Sequence, residues 1–237
     1  MIETGYDHLN KLLAILKPED QAFLAEHLEP VTYVQKDEVE RPGTIIESVI
    51  FPETGLLSVV AHLPEGRDIE VGIVGRDGMS GTGVVQFDEY AVFSTFVQIE
   101  GRGLKLDVKT LRVALAQSIS LNIILNRYAR SFAIQIGSTA LANGRSRLEE
   151  RLARWLVMVQ DRIDSDKIAI THEFLSIMLG VRRSGVTDAL HILEGRGLVR
   201  ANRGEIIIRD REGLIVLGDG AYGMAELEYQ RIMGMPS

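Results

Sequence analysis

Proline placement sets the first limit on this chain. All six prolines stand at positions 18, 30, 42, 52, 64 and 236, so residues 65–235 lack the one residue that deletes a backbone donor and interrupts helices. Before that stretch ends its first third, the texture is not helical. From Val31 to Leu106 it consists of short runs rich in Val, Ile, Phe and Thr: Thr44-Ile-Ile, Leu56-Leu-Ser-Val-Val, Ile69-Glu-Val-Gly-Ile-Val and Val92-Phe-Ser-Thr-Phe-Val-Gln-Ile. Turn-forming clusters separate them, at Pro52-Glu-Thr-Gly, Pro64-Glu-Gly-Arg, Gly75-Arg-Asp-Gly and Glu100-Gly-Arg-Gly. Many short strands at near-regular spacing predict a closed or double-sheet β structure rather than a βαβ unit. Ahead of them, Tyr6 to His27 reads as an amphipathic helical segment interrupted near Pro18, burying Leu9, Leu12, Leu13, Leu16, Phe23 and Leu24.

After Asp107 the period becomes helical. Asp107 is placed to N-cap Val108 to Gln117. Ile119 to Ala142 follows, with Leu121, Ile124, Leu125, Tyr128, Phe132, Ile136 and Leu141 mostly three or four residues apart. That much apolar surface cannot stand alone; it packs on its own β domain, on a second copy, or on both. Asn143-Gly144 is the expected break and hinge. A further helix, Ser146 to Arg162, carries Leu148, Leu152, Trp155, Leu156 and Val159 on its apolar side.

Composition narrows the function. No cysteine occurs among 237 residues, which excludes disulfides, thiolate zinc sites and cysteine-ligated iron–sulfur clusters. The stretch of about 18 apolar residues needed to span a bilayer is missing, so a soluble, cytoplasmic chain without a membrane partner is expected. The net charge of −7 conceals an asymmetry. Residues 1–142 hold 12 Lys and Arg against 19 Asp and Glu, whereas residues 143–211 hold 13 against 10, and 12 of those cations are arginine. A basic, arginine-rich segment inside an acidic chain is a footprint of anion binding.

That segment has a recognisable layout. Thr171 can N-cap a short helix burying Phe174, Leu175, Met178 and Leu179, and Gly180 supplies the tight turn that ends it. A second helix begins near Arg182 and buries Val186, Ala189, Leu190 and Leu193, with the small Ser176 where the two helices would approach. Gly195-Arg-Gly closes it, and Leu198 to Ile208 reads as a hairpin around Asn202-Arg-Gly. A helix-turn-helix followed by a hairpin is a winged helix. Arg182, Arg183, Ser184 and Thr187 then fall on the exposed start of the second helix, where guanidinium groups can pair with guanine in a major groove. Thr171, His172 and, on the wing, Arg203 are candidate phosphate contacts.

Arg147-Leu-Glu-Glu-Arg-Leu-Ala-Arg-Trp-Leu and Ile170-Thr-His-Glu-Phe-Leu-Ser-Ile-Met-Leu-Gly-Val-Arg-Arg-Ser-Gly-Val-Thr resemble the DNA-binding domain of the Crp/Fnr superfamily of bacterial transcription regulators. The resemblance implies an α+β chain in three parts: a β-roll sensor domain resembling a cyclic-nucleotide-binding one (1–107), a helical connector with a long dimerisation helix (108–142), and a winged helix-turn-helix (143–237). It implies double-stranded DNA and a second copy of the chain as partners, RNA polymerase as a further candidate, and an unidentified small-molecule effector. It also assigns Leu121, Leu125, Tyr128 and Phe132 to a dimer seam, where the residues alone equally allow an intramolecular core.

Two departures from the family matter. Nucleotide-binding members carry a Gly-Glu pair and an Arg-Ser or Arg-Thr pair in the β-roll, and Ser80-Gly-Thr-Gly and Ala91-Val stand at those places here. The ribose-binding carboxylate and the phosphate-neutralising cation are both missing, which argues against cyclic AMP. His62 is the single histidine among the strands, so haem is not expected either. Members reading the best-known operators place Glu after the helix-start Arg, where Ser184 and Gly185 stand, so a different operator is expected. Gly78-Met-Ser-Gly-Thr-Gly lacks the Lys-Ser/Thr ending and following helix of a phosphate loop, and the five histidines show no metal-ligand spacing. No catalytic or metal-binding set is assigned. The competing reading is a cupin-like enzyme with an appended helical domain, which would need ligands or an acid–base pair inside the barrel.

Overall fold

A computed structural model describes residues 9–64 and 67–234. His8, the start of the Tyr6–His27 segment, Glu65-Gly66 of one expected turn, and Pro236 lie outside the described residues. In chain order the elements are α1 (Lys11–Ala14), α2 (Pro18–Ala25), β1 (Glu29–Tyr33), β2 (Glu38–Glu40), β3 (Ser48–Pro52), β4 (Leu56–Leu63), β5 (Arg67–Val74), α3 (Thr82–Val85), β6 (Ser94–Ile99) and β7 (Gly101–Asp107). Then follow α4 (Val108–Gln117), α5 (Ile119–Arg145), α6 (Leu148–Ile163), β8 (Lys167–Ala169), α7 (His172–Leu179), α8 (Arg183–Gly195), β9 (Val199–Asn202), β10 (Glu205–Ile208), α9 (Arg211–Leu217) and α10 (Met224–Met233).

The N-terminal strands form two antiparallel sheets, β1-β7-β3 and β2-β6-β4-β5. This is the double-sheet β-roll that the alternation of short apolar runs requires. Pro18 does interrupt the leading helical segment, by serving as the first residue of α2. Leu12, Leu13, Leu16 and Leu24 are buried, but Leu9 is exposed because it precedes the N-cap Asn10, and Phe23 is half-buried. Thr44-Ile-Ile makes only a single bridge, Ile45 to Tyr90, and the strand lies further on at Ser48. A short helix, α3, does follow Gly81, contrary to the sequence reading, and its four residues were too few to show a period.

Asp107 caps α4 as expected, its Oδ2 accepting the Thr110 N–H at 3.0 Å. Helix α5 departs from α4 at 119° and runs 27 residues, through Asn143-Gly144 to Arg145. Gly144 weakens a helix without stopping it, at a cost of about 1 kcal/mol, and no atom crowds it. The break comes at Ser146-Arg147, where Glu150 accepts the Arg147 N–H at 2.8 Å and starts α6. Among the described residues, no single helix is long and apolar enough to cross a membrane.

The assigned seam residues of α5 lie in the protomer's own core. Leu121 and Leu125 join the cluster around Phe51, Met79 and Leu111, and Phe132 joins Leu57, Val74 and Val97. Tyr128 donates its hydroxyl to the Met79 carbonyl at 3.2 Å, and a Cβ on Gly78 would collide with that ring. The apolar stripe is thus spent on the β-roll, which the residues alone allowed. A different α5 face is exposed: Ile119, Ile123, Ala133, Gly137, Ala140, Leu141 and Gly144.

Helix α6 is buried almost all round, from Leu152 to Val159, and joins the two halves of the molecule. One apolar cluster contains Leu56, Val60 and Ile73 of the β-roll together with Leu152, Trp155 and Leu156 of α6 and Leu175, Val186 and Ile206 of the winged helix. Within it Glu70 is buried: Trp155 Nε1 donates to Oε1 at 2.7 Å and Ser58 Oγ to Oε2 at 2.5 Å. Two ion pairs flank the junction, Arg162 with Asp77 at 2.9 Å and Arg76 with Asp164 at 3.1 Å. Helix α10 folds back along α5, and Tyr229 donates its hydroxyl to the Asp77 carbonyl at 2.6 Å.

Burial pushes the Glu70 carboxyl up to about 7 from an ordinary 4.5, against the opposing effect of its two donors. Between those values the folded protein holds a proton that the unfolded chain has released, so stability falls as pH rises from about 4.5 to 7 and is level above. The shift corresponds to about 3 kcal/mol. Urea denaturation at pH 5 and pH 8 should show wild type losing about that much relative to Glu70→Gln; parallel pH profiles would refute the assignment.

Candidate nucleic-acid interface

Helix α7 starts where Thr171 Oγ1 accepts the Phe174 N–H at 3.3 Å. It stops at Gly180, whose φ of +61° turns the chain, while the Val181 N–H closes on the Ser176 carbonyl at 2.9 Å. Arg151 of α6 holds the end of α7 by donating to the Leu179 carbonyl. Arg182, extended, is the N-cap residue of α8, which runs 13 residues and buries Val186, Ala189, Leu190 and Leu193 against α6 and α7. Leu175, Met178 and Leu179 of α7 are buried as expected, whereas Phe174 is only partly covered and meets Phe96 of the β-roll at 6.2 Å between ring centroids. The first helix of the motif therefore docks on the chain's own β-roll.

The outer start of α8 carries the predicted cations. Arg182, Arg183 and Ser184 are exposed, as is Thr171 at the start of α7. His172 and Thr187 are half-buried and face each other, with 3.2 Å between Nδ1 and Oγ1. Thr187 also donates to the Arg183 carbonyl at 3.3 Å. This pair ties α7 to α8, a role the residue pattern did not show. Gly185 also gains a reason: a Cβ there would lie 3.2 Å from Leu148 Cδ2, so α8 passes close to the start of α6 at that point.

Strands β9 and β10 pair antiparallel through Arg203-Gly204, and β8 adds a third strand. Gly204 has φ +78°, so the second turn position is the left-handed one that favours glycine. Arg203 is exposed at the tip. Three further side chains share this surface, of which the sequence reading names only His191, as a surface or packing residue. Arg200 is exposed on β9, and Asp188 and His191 fall on the outward stripe of α8 with Ser184. The helical period from Ser184 would have found the last two.

The arginines divide into paired and unpaired ones. Arg41, Arg76, Arg102, Arg112, Arg147, Arg162, Arg211 and Arg231 each pair with a carboxylate. Among the described residues Arg182, Arg183, Arg200 and Arg203 have no carboxylate within 4.0 Å, and the same holds for the exposed Arg127, Arg130, Arg145, Arg196 and Arg209. A row of exposed guanidinium groups along a helix start and a hairpin tip can meet a polyanion without first surrendering internal partners. In the β-roll, Ser80 to Gly83 and Ala91-Val92 do come together on one cleft beside α5. His62 engages both ring nitrogens, with Asp68 at 2.8 Å and Ser94 at 2.7 Å.

Residues 150–217 match the family model described as the Crp-like helix-turn-helix domain. Solved structures share the whole arrangement. A Crp/Fnr-family transcriptional regulator from Eubacterium rectale superposes with a TM-score of 0.69 at 16% identity, covering 90% of this chain and 100% of that one. A CRP-family transcriptional regulator from Thermus thermophilus gives 0.67 at 18%, covering 81% and 98%. FixK2 from Bradyrhizobium japonicum gives 0.67 at 18%, covering 80% and 96%. A search of curated proteins finds no match. The fold is thus that of the Crp/Fnr regulators: β-roll, long helix, helix-turn-helix.

The turn between α7 and α8 is the vulnerable element. Gly180→Ala would place a Cβ in left-handed backbone, 3.1 Å from Ile69 Cδ1. Denaturation should show a loss of about 1–2 kcal/mol, and an unchanged midpoint would show that the turn tolerates the substitution.

Proposed function

We propose that this chain, built on a Crp-like helix-turn-helix domain and the fold of the Crp/Fnr regulators, is a cytoplasmic DNA-binding transcription regulator that works as a homodimer on a two-fold related operator. The observation that carries the reading is that a helix-turn-helix with a hairpin wing leaves Arg182 and Arg183 exposed at the start of α8 and Arg200 and Arg203 exposed on the wing. Helix α8 enters a major groove, where Arg182 and Arg183 offer bidentate donors to guanine O6 and N7 and Ser184 lies alongside. Thr171 and Arg203 contact phosphates on either side, and Arg200 joins them on the wing. His172 and Thr187 act through each other, fixing the angle between α7 and α8. No catalytic step is assigned.

The second copy seats on the exposed α5 face. Ile123 and Leu141 supply apolar contact there, and Ala133, Gly137, Ala140 and Gly144 let two backbones approach closely. Because α6 is fixed to both the β-roll and α8, the way two α5 helices cross sets the separation of the two reading heads. An effector that shifts that crossing shifts DNA affinity, and RNA polymerase is the further partner such a regulator would address. Haem and a cupin-like metal reaction gain no support from the barrel, because its one histidine is committed to Asp68 and Ser94.

Titration against a selected operator tests the assignment. Arg183→Ala should weaken specific binding by about 1–3 kcal/mol and relax base preference at one position per half-site, whereas Arg203→Ala should weaken all sequences alike and reduce the salt slope by about 1. Unchanged affinity in both variants would remove the arginine row from the interface.

A further inference from the structure

Asp68, His62 and Ser94 stand in a row across three adjacent strands of the four-stranded sheet. Strand register puts them there. His62 of β4 lies opposite Asp68 of β5, and Ser94 of β6 lies opposite Val60, two residues back on the same face of β4. His62 Nδ1 is 2.8 Å from Asp68 Oδ1, and Nε2 is 2.7 Å from Ser94 Oγ. An ionised carboxylate can only accept, so Nδ1 of the neutral ring carries the hydrogen and Nε2 accepts from the Ser94 hydroxyl. Ser94 is 32 residues from His62 in sequence, and pairing of both strands with β4 is what joins them. The same two side chains line a hollow of about 430 Å³ where the β-roll meets α7. Phe96, Phe174 and Ile177 are its apolar lining, and Lys36 is the one Lys or Arg among the described residues that line it. Lys36 has φ +80°, a conformation that a residue with a side chain rarely adopts, and its Nζ stands 5.8 Å from the centroid of the Phe174 ring.

We propose that this hollow hydrolyses small neutral esters with an apolar acyl group, with Ser94 as nucleophile, His62 as general base and Asp68 positioning the imidazole. Ser94 Oγ adds to the ester carbonyl carbon while its proton passes to His62 Nε2. The carbon–oxygen bond to the alcohol then breaks, and the alcohol leaves with that proton. Water repeats the exchange on acyl-Ser94, which releases the carboxylic acid and restores the hydroxyl. The His62 side chain is 38% exposed, so water reaches the base directly. Lys36 supplies the positive charge that the acyl oxygen needs as it becomes an oxyanion. The acyl chain lies against Phe96, Phe174 and Ile177, and Glu38 and Glu173 among the lining residues disfavour a substrate that carries its own carboxylate. This activity goes beyond the DNA-binding reading and does not rest on it.

The test uses the full chain without DNA. An alkyl fluorophosphonate, which bonds to activated serines and releases fluoride, should label the folded wild type at Ser94, as read by peptide mass mapping, and leave the heat-unfolded chain unlabelled. p-Nitrophenyl butyrate should be hydrolysed with an initial burst of nitrophenolate, and Ser94→Ala should abolish both readouts. His62→Ala should slow labelling about 100-fold or more. Asp68→Asn should lower kcat about tenfold or more at unchanged KM, a split that a residue merely tying two strands together would not give. Labelling of the wild type needs no variant, so a poorly folded His62→Ala would leave that result decisive. Absence of label on Ser94 after prolonged incubation with millimolar probe overturns the proposal. So does label that persists undiminished in a folded His62→Ala, or labelling without ester turnover. DNA affinity is measured separately on the same preparation, so failure of the esterase and failure of the regulator reading remain distinct results.

Discussion

Everything in this molecule hangs on the burial of helix α6 from Leu152 to Val159. A helix covered almost all round along that stretch needs two partners, and here one is the β-roll and the other the helix-turn-helix. Trp155 makes the union specific as well as apolar, because its indole N–H must find an acceptor once buried and finds Glu70 of β5. The Arg162–Asp77 pair does the same at the far end of α6. The β-roll and the helix-turn-helix are therefore parts of one packed body, and α8 inherits its position from the β-roll.

This arrangement explains where flexibility is not found. The expected hinge at Asn143-Gly144 is helical, and the break at Ser146-Arg147 is bridged by the Arg147–Glu150 cap and by the contacts of α6 on both sides. Helix α10 adds a strap from the end of the winged helix back to α5 and the Asp77 loop. In the regulator reading, a signal then acts through the crossing of two α5 helices more than through a loose linker. It reaches α8 by rigid transmission along α6.

Much of this was legible in the residues. The switch from period-two runs to period-three-and-four spacing at Asp107 located the β-roll and the helical half, and Thr171, Gly180 and Arg203-Gly204 located the motif and its wing, because caps and turns are set by local chemistry. What was hidden is tertiary. The α5 stripe of Leu121, Leu125, Tyr128 and Phe132 is as apolar as a dimer seam, and only packing shows that the β-roll consumes it. His172 and Thr187 bear polar groups that suit a phosphate equally well until their mutual contact is seen.

The claim that two copies present paired α8 helices to DNA is tested most directly by selecting bound duplexes from a random pool with the purified chain and sequencing them. The account predicts a two-fold symmetric motif whose half-sites are centred about 10 bp apart, or a multiple of that spacing, enriched in guanine where Arg182 and Arg183 reach. A pool that shows no enriched motif, or a single asymmetric site, would contradict it.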